Sequence, residues 1–487
     1  MDRTLTTRII RSAFGYVVFA TLFLPAGGWA QKESVRTWSQ FRGPNGSGVY
    51  ETTNLPKEVG PDINVIWKKV IPSGYSSPVM NDKYLFITGI EDDKLLTICL
   101  NRLSGETIWQ REAPRPRKQP IDNRNNSASP SPVIDEKNVY VFFPDFGLLA
   151  YDFQGQELWK LPLGPFTNVY GMGASPMVAG DKVVLACDQT YGSFIIAADK
   201  LTGRVVWKTD RPEAISGHST PILYQPKVGE LQVIVPGSFL LSAYSASKGE
   251  LIWWIRGLAC EMKSTPVIYN DMLFIHGFGM PQNDYGNQKV IPAFEEALTK
   301  FDANKDGLID KTELPKEDPY NLVDNLDLKE GGKLDQVEWN YFRATLASVN
   351  AMIGIRLGGS GDMTDSGTVW RFYRHVPQLP SPLVYKNRLY MINDIGFITI
   401  FNPSDGKVIT EGRLIGGGSQ FYSSPVAADG KIYFISRNGK VSVLSADGTI
   451  DIQAISDLKQ ECYATPAIAE GRIYIRTEGT LYCFGEK

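Results

Sequence analysis

Ser175-Pro-Met-Val-Ala-Gly-Asp-Lys-Val-Val-Leu-Ala-Cys187, followed by Ala197-Ala-Asp-Lys-Leu-Thr-Gly-Arg-Val-Val-Trp207, is one unit of a tandem array. A hydroxyl residue and a proline open a short apolar run, a second apolar run follows, and a glycine turn leads to a Trp. The opening pair recurs as Ser77-Pro78, Ser131-Pro132, Thr220-Pro221, Thr265-Pro266, Ser381-Pro382, Ser424-Pro425 and Thr465-Pro466, which makes eight units. Successive prolines stand 54, 44, 45, 45, 116, 43 and 41 residues apart. One gap therefore carries an insertion of about 70 residues in an otherwise regular repeat.

The closing signature is a Gly four residues before a Trp: Gly105 and Trp109, Gly155 and Trp159, Gly203 and Trp207, Gly249 and Trp253. Gly367 and Trp370 are one residue closer, and the turns at Gly406 and Gly448 place Thr410 and Ile452 where the Trp would stand. The glycine supplies the positive φ of a tight turn between antiparallel strands, and the Trp brings a large apolar area to the next strand. With period-2 runs such as Lys431-Ile-Tyr-Phe-Ile435, each unit reads as four short strands, one propeller blade. A helical solenoid needs amphipathic stretches of helix length, and none occurs outside the insertion.

The expected fold is all-β: an eight-bladed β-propeller over residues 31–487, with a small α-helical insertion at 281–349 within blade 5. The last unit stops one strand short at Leu481-Tyr-Cys-Phe484. Asp62-Ile-Asn-Val-Ile-Trp67, which ends in Trp as an outer strand does, is expected to supply the missing strand, so that both termini close the ring and no sheet edge is left open.

Arg3, Arg8 and Arg11 precede an apolar run from Phe14 to Leu24 and the small-residue stretch Gly27-Gly28-Trp29-Ala30. This reads as a general secretory (Sec-type) signal peptide over residues 1–30, and the apolar run is too short to span a bilayer. The expected location is periplasmic or secreted, with no membrane span after cleavage. Cleavage takes three of 50 basic and one of 53 acidic residues, leaving a net charge of −5. A mildly acidic chain without a basic run argues against nucleic acid as a partner. The five cysteines include no adjacent pair and no CxxC. They are read as buried thiols, with one disulfide between Cys99 and Cys483 across the ring closure as the alternative.

Within the insertion, Asp302-Ala-Asn-Lys-Asp-Gly-Leu-Ile-Asp-Lys-Thr-Glu313 meets the EF-hand loop pattern throughout. Asp302, Asn304 and Asp306 offer alternating oxygens, Gly307 allows the sharp turn, Leu308 offers its carbonyl, Asp310 acts through water, and Glu313 closes bidentately. These hard oxygen donors suit calcium, and Ala293 to Phe301 reads as the entering helix. A worn partner loop runs from Asp327 to Glu338, where Lys329 and Gly331 remove two donors. Its Leu334 is expected to pair with Ile309, ahead of a helix from about Gln336 to Ser348.

Trp38-Ser-Gln-Phe-Arg-Gly-Pro-Asn45, the Asp199 to Trp207 turn and the Ser/Thr-Pro strands together resemble the PQQ-binding-like, quinoprotein-type β-propeller repeat proteins, a family that includes BamB-like outer-membrane assembly factors. The likeness covers nearly all of residues 35–487. It implies the propeller fold and two functional classes. One is an exported calcium-binding propeller that acts as a binding or scaffold protein in the cell envelope or outside it. The other is a PQQ-dependent quinoprotein oxidoreductase, alcohol dehydrogenase-like. The family's dehydrogenases hold PQQ with a vicinal disulfide, a Trp, a calcium bound by Glu and Asn, and an Asp base. This chain has no adjacent cysteines, and no motif places that Glu, Asn and Asp. Calcium is the expected cofactor, and PQQ belongs to the alternative.

Two residues before each hydroxyl of the repeat stand Tyr75, Ser129, Gly173, His218, Lys263, Leu379, Tyr422 and Tyr463. Read as the starts of the innermost strands, they are expected to ring one mouth of the channel. Tyr75, His218, Lys263, Tyr422 and Tyr463 would then form an amphipathic, partly cationic funnel suited to an anionic or aromatic small molecule, a peptide or a protein partner. His276 and His375 read as structural histidines, because no spacing marks a transition-metal site.

Overall fold

The computed structural model describes residues 37–325 and 331–486. The expected signal peptide and residues 327–330 of the worn loop lie outside them. Each repeat folds into a four-stranded antiparallel sheet, as in blade 3 with Met177–Ala179, Lys182–Cys187, Phe194–Asp199 and Val205–Asp210 in that order from the axis outward. The two middle strands are buried almost throughout because each blade packs a neighbour on both faces, so they read as continuous apolar runs. The outer strand alternates, burying Trp207 and exposing Val205 and Val206. Its turn is held by Asp199, whose Oδ1 accepts from the N–H groups of Leu201 and Thr202 at 3.1 and 2.8 Å, and Gly203 takes φ +71°.

Eight such sheets form the ring. The eighth contains Ala467–Ala469, Arg472–Arg476 and Thr480–Gly485, completed by Val65–Val70 from the other end of the chain. Trp67 lies opposite Cys483 and Val70 opposite Thr480. The closing strand thus starts three residues later than Asp62, while Trp67 keeps its expected place.

The glycine-Trp pair joins neighbouring blades. Five of the Trp residues dock on the turn of the following blade, and each indole N–H donates to a carbonyl two or three residues before the glycine there. Trp67 donates to Arg102, Trp109 to Phe153, Trp159 to Lys200, Trp207 to Ala246 and Trp370 to Pro403, at 2.9–3.2 Å. A methyl group built on Gly105 would stand 2.6 Å from Trp67, and one on Gly155 2.8 Å from Trp109. The glycine therefore serves twice, through its positive φ and through the space it leaves for the indole.

Inside each blade, a small residue lies opposite the Trp: Cys99 to Trp109, Ala150 to Trp159, Ala197 to Trp207, Ala243 to Trp253, Gly354 to Trp370 and Cys483 to Trp67. In blades 6 and 7 the slot holds Thr410 and Ala454, and the opposing residue grows to Ile400 and Val443. The larger opposing side chain makes up part of the volume that the Trp fills elsewhere. Ala454 rather than Ile452 fills the blade 7 slot, because its turn, from Leu444 to Ile452, is one residue longer than the turns of blades 1, 3, 4 and 6 and its glycine stands one residue earlier. The same register answers the disulfide alternative. Cys99 and Cys483 occupy equivalent small-residue slots of neighbouring blades, and all five cysteines are free and buried. Burial pushes the Cys99 thiol up to about 12 and the Cys483 thiol to about 11.

Residues 38–55 form a strap that the repeat pattern did not anticipate. Trp38 exchanges backbone hydrogen bonds with Met80 of blade 1, and Ile134 of blade 2 donates to Ser39. The Asn45 side chain pairs with both backbone groups of Leu223 in blade 4, and Arg42 donates to the Pro382 carbonyl of blade 6 at 2.7 Å. Ala427 of blade 7 donates to Gly48, and Gly471 of blade 8 to Thr52 Oγ1. The strap crosses the innermost strands and floors the channel.

The insertion leaves blade 5 between its second strand, Met272–Gly277, and its third, Ala351–Arg356. It contains α1 (Phe294–Phe301), α2 (Gln336–Ala347) and a two-residue pairing of Ile309 with Leu334. Asp335 caps α2, accepting from the N–H groups of Val337 and Glu338. A separate core of Phe301, Ile309, Leu334, Trp339 and Phe342 also takes in Ile215 of the propeller.

Candidate functional site: the axial cavity and the insertion loop

The channel holds one cavity of about 250 Å³. Tyr75, His218, Lys263, Tyr422 and Tyr463 all line it, as do Ser129, Gly173 and Leu379. They precede the innermost strands rather than starting them: in blade 1 the strand begins at Val79, after the proline. Proline has no N–H for the ladder, so the residues before it are left in the approach to the strand, facing the axis.

Below them lie the eight hydroxyls of the Ser/Thr-Pro pairs, and every one lines the cavity. Their order is set by hydrogen bonds from blade to blade. Ser77 N–H donates to Ser131 Oγ at 2.8 Å, Ser131 to Ser175 Oγ at 2.9 Å, and Ser175 to Thr220 Oγ1 at 3.1 Å. Thr265 N–H donates to Ser381 Oγ, Ser381 to Ser424 Oγ, Ser424 to Thr465 Oγ1, and Thr465 to Ser77 Oγ, each at 3.0 Å. Seven links close a circle with one gap, between Thr220 and Thr265. Among the described residues, none of the eight hydroxyls donates its own hydrogen to a protein acceptor.

The wall is aromatic on two sides. Tyr75 and Tyr463 stack at 4.1 Å between centroids, and Tyr422 lies 5.6 Å from Tyr463. Arg437 braces this side by donating to Tyr463 Oη at 3.0 Å, and Tyr463 donates in turn to Glu461 at 2.7 Å. Across the cavity, Lys263 Nζ sits 5.2 Å and the Arg124 guanidinium 5.0 Å from the Tyr170 ring centroid. Burial, with Lys263 nearby, holds His218 down to about 3, so its ring is neutral at physiological pH. Phe41 of the strap lines the floor. Buried next to it in the chain is Arg42, which burial alone pulls down to about 9 and which forms no ion pair among the described residues.

Tyr170, Arg124 and Phe41 escaped the sequence reading. Tyr170 and Arg124 sit on interblade loops whose lengths vary, so no period marks them, and Phe41 belongs to a segment outside the repeat. His276 is buried, with Nε2 2.6 Å from the Pro380 carbonyl, and His375 packs on Phe397, which fits structural roles for both. The insertion also reaches the back of this wall: Tyr341 of α2 packs against Phe239 at 5.8 Å, and Ile215, three residues before His218, joins the insertion core.

The 302–313 loop is wrapped on its own carboxylates. Glu313 accepts from the N–H groups of Ala303, Asn304 and Asp310 at 3.0–3.1 Å, and Asp302 from those of Asp306 and Gly307 at 3.2 and 3.1 Å. Asp306 accepts from Leu308 N–H and is reached by the Lys333 ammonium, which is the main cause holding its carboxyl below the usual range. No cluster of three or more His, Cys, Asp or Glu side chains stands ready to hold a metal among the described residues. The donor set of the loop is all oxygen.

A family model described as outer membrane protein assembly factor BamB matches residues 61–221, 96–253 and 192–487, the overlaps reflecting the repeat. The BamB of Yersinia pestis is 24% identical over 367 residues, covering 72% of this chain and 80% of that protein. Among solved structures, BamB from Moraxella catarrhalis superposes with a TM-score of 0.53 at 13% identity, over 86% of this chain and 98% of the other. A europium-containing methanol dehydrogenase superposes with 0.60 at 9% identity, over 92% and 98%. At such identities the structural likeness shows the shared propeller fold alone.

Proposed function

The chain belongs to the family described as outer membrane protein assembly factor BamB, and from that premise we propose that it is an exported binding and scaffold propeller of the cell envelope. It captures its partner at the axial cavity and holds calcium in the 302–313 loop. One observation carries the reading: residues from all eight blades converge on a cavity that presents aromatic rings and hydrogen-bond donors, with no carboxylate in its lining. Such a wall suits capture better than proton abstraction, which needs a base within reach of the substrate. Export rests on the reading of residues 1–30 as a signal peptide. No helix among the described residues is long and apolar enough to cross a membrane.

The quinoprotein reading fits less well. A quinone cofactor paired with a metal needs hard oxygen ligands beside it, and the cavity lining offers none from a carboxylate. The cysteines are free and non-adjacent.

The reading is tested by capture from a native envelope fraction on the immobilised mature chain. Lys263→Ala with Tyr422→Ala should remove most capture and leave the melting temperature nearly unchanged, because side chains before the strands contribute little to the blade cores. Capture that survives these changes but fails when residues 281–349 are excised moves the interaction site to the insertion. For calcium, calorimetry should show one site per chain, lost in Glu313→Gln; an unchanged affinity in that variant contradicts the assignment.

A further inference from the structure

Seven hydroxyls of the cavity ring accept a backbone N–H from the preceding blade. The eighth, Thr265 Oγ1, meets no partner and is shielded from solvent, although Thr265 is only 1% exposed and lines the cavity. The link that Thr220 N–H would make to it is missing. His218 Nε2, two residues before Thr220, is likewise shielded and unpartnered. Lys263 stands two residues before Thr265. The unused groups of the ring thus gather on one wall, between blades 4 and 5, where His218 N–H donates to the Met262 carbonyl at 2.8 Å and holds the two approaches side by side.

Leaving a buried hydroxyl without a partner costs about 1–3 kcal/mol. The hydroxyls of Thr97, Ser242, Ser264, Thr345, Thr399 and Ser442 are also buried without a partner among the described residues, but Thr265 differs from them in lining the cavity. The surroundings decide which partner is missing. No carboxylate lines the cavity, and its charged lining residues are Arg124 and Lys263. Glu261 holds the Lys263 ammonium at 3.4 Å and uses one of its three hydrogens. Thr220 Oγ1 already accepts from Ser175, so its own hydrogen is left to donate. The free donors of this wall are thus Lys263, Thr220 and Thr265, while the neutral His218 ring, whose Nδ1 side faces the Gly171 carbonyl, leaves Nε2 as an acceptor for a donor on the ligand.

We infer that the wall between blades 4 and 5 is an oxyanion seat: Thr265 Oγ1 and Lys263 Nζ donate to one carboxylate or phosphate group of the ligand, flanked by Thr220 Oγ1. The inference rests on reading the cavity as the capture site, and it narrows the ligand to one that carries a compact anionic group. The tyrosines of the opposite wall face the rest of that ligand.

Calorimetric titration of the mature chain with sodium phosphate, and separately with sodium acetate, at fixed ionic strength tests the seat. At least one anion should bind saturably at one site, and which one binds identifies the group. Lys263→Met should weaken that binding about tenfold, and Thr265→Val about threefold or more. Arg413→Gln, on the exposed outer strand of blade 6, should leave it unchanged. Thr265→Val should also melt no lower than the parent in buffer free of both anions, since it removes an unpartnered hydroxyl. The seat is overturned if neither anion binds saturably, or if Arg413→Gln weakens binding as much as Thr265→Val. Partner capture that persists in Thr265→Val and Lys263→Met overturns the seat and leaves the capture reading standing, whereas loss of capture in Tyr422→Ala alone bears on the capture reading.

Discussion

Seven junctions of this ring and the eighth are built differently. At the ordinary junctions a Ser or Thr hydroxyl accepts from the previous blade, and at five of them a Trp docks on the next turn. Between blades 4 and 5 both devices are missing. Trp253 turns its indole N–H to Gln232 within its own blade, and the hydroxyl link is open. Other contacts hold this joint. Gly361–Asp362 adds a short parallel strand to the edge of blade 4, Arg256 N–H donates to Thr364, and a cluster with Trp253, Leu258, Met262 and Met363 fills the space. Blade 5 is also the blade that carries the insertion. Of the eight hydroxyls that ring the cavity, seven accept a backbone N–H and one is left open to the cavity.

The largest expected effect concerns the closure that all ordinary junctions depend on. Deleting residues 62–70 leaves blade 8 with three strands and two exposed edges, and should abolish cooperative melting; a truncated chain that melts like the parent contradicts the closure. Next, Trp109→Ala should cost about 3–5 kcal/mol in denaturant unfolding, because it empties a buried slot and leaves the Phe153 carbonyl without its donor. Gly155→Ala, with φ +85° and 2.8 Å to Trp109, should cost about 1–3 kcal/mol. Gly367→Ala, which meets the side chain and the carbonyl of Met363 at 2.9 Å but has no positive φ to strain, should cost less; equal costs would erase the contrast between the junctions.

The hydroxyls sharpen the same comparison on a smaller scale. Ser175→Ala strands the buried Ser131 N–H and should cost about 1–3 kcal/mol, whereas Thr265→Val should cost nothing measurable. The smallest expected effect lies in the insertion. Lys333→Met removes an ammonium from Asp306 and should tighten calcium binding a few-fold, read by calorimetry, because the cation no longer competes with a local positive charge. An unchanged affinity means that Lys333 leaves Asp306 without consequence.

Much of this was legible in the chain. The Ser/Thr-Pro pairs mark where a ladder cannot yet begin, and so they gave the number of blades, the closing strand with Trp67, and the eight approach residues of the cavity. What stayed hidden depended on contacts between units. The repeat pairs Trp109 with Gly105 of its own unit, but the acceptor of its indole, Phe153, lies in the next blade and no spacing marks it. Ile452 was taken for the Trp slot because turn length, not spacing, sets the register that brings Ala454 there. The strap from Trp38 to Tyr50 has no period, and its Asn45 mimics a strand only once Leu223 is beside it. The open link at Thr265 is invisible in a sequence that carries the same Thr-Pro pair as its neighbours.

The central claim is that the cavity wall between blades 4 and 5 is left open to receive a ligand's anion. A crystal structure of the mature chain grown in phosphate, and a second grown in acetate, tests it directly. The account expects density for one of these anions within hydrogen-bond distance of Thr265 Oγ1 and Lys263 Nζ, with the seven-link hydroxyl circle unchanged. A cavity that holds only water on that wall in both crystals, or a Thr265 hydroxyl bonded to Thr220 N–H like its seven counterparts, would contradict it.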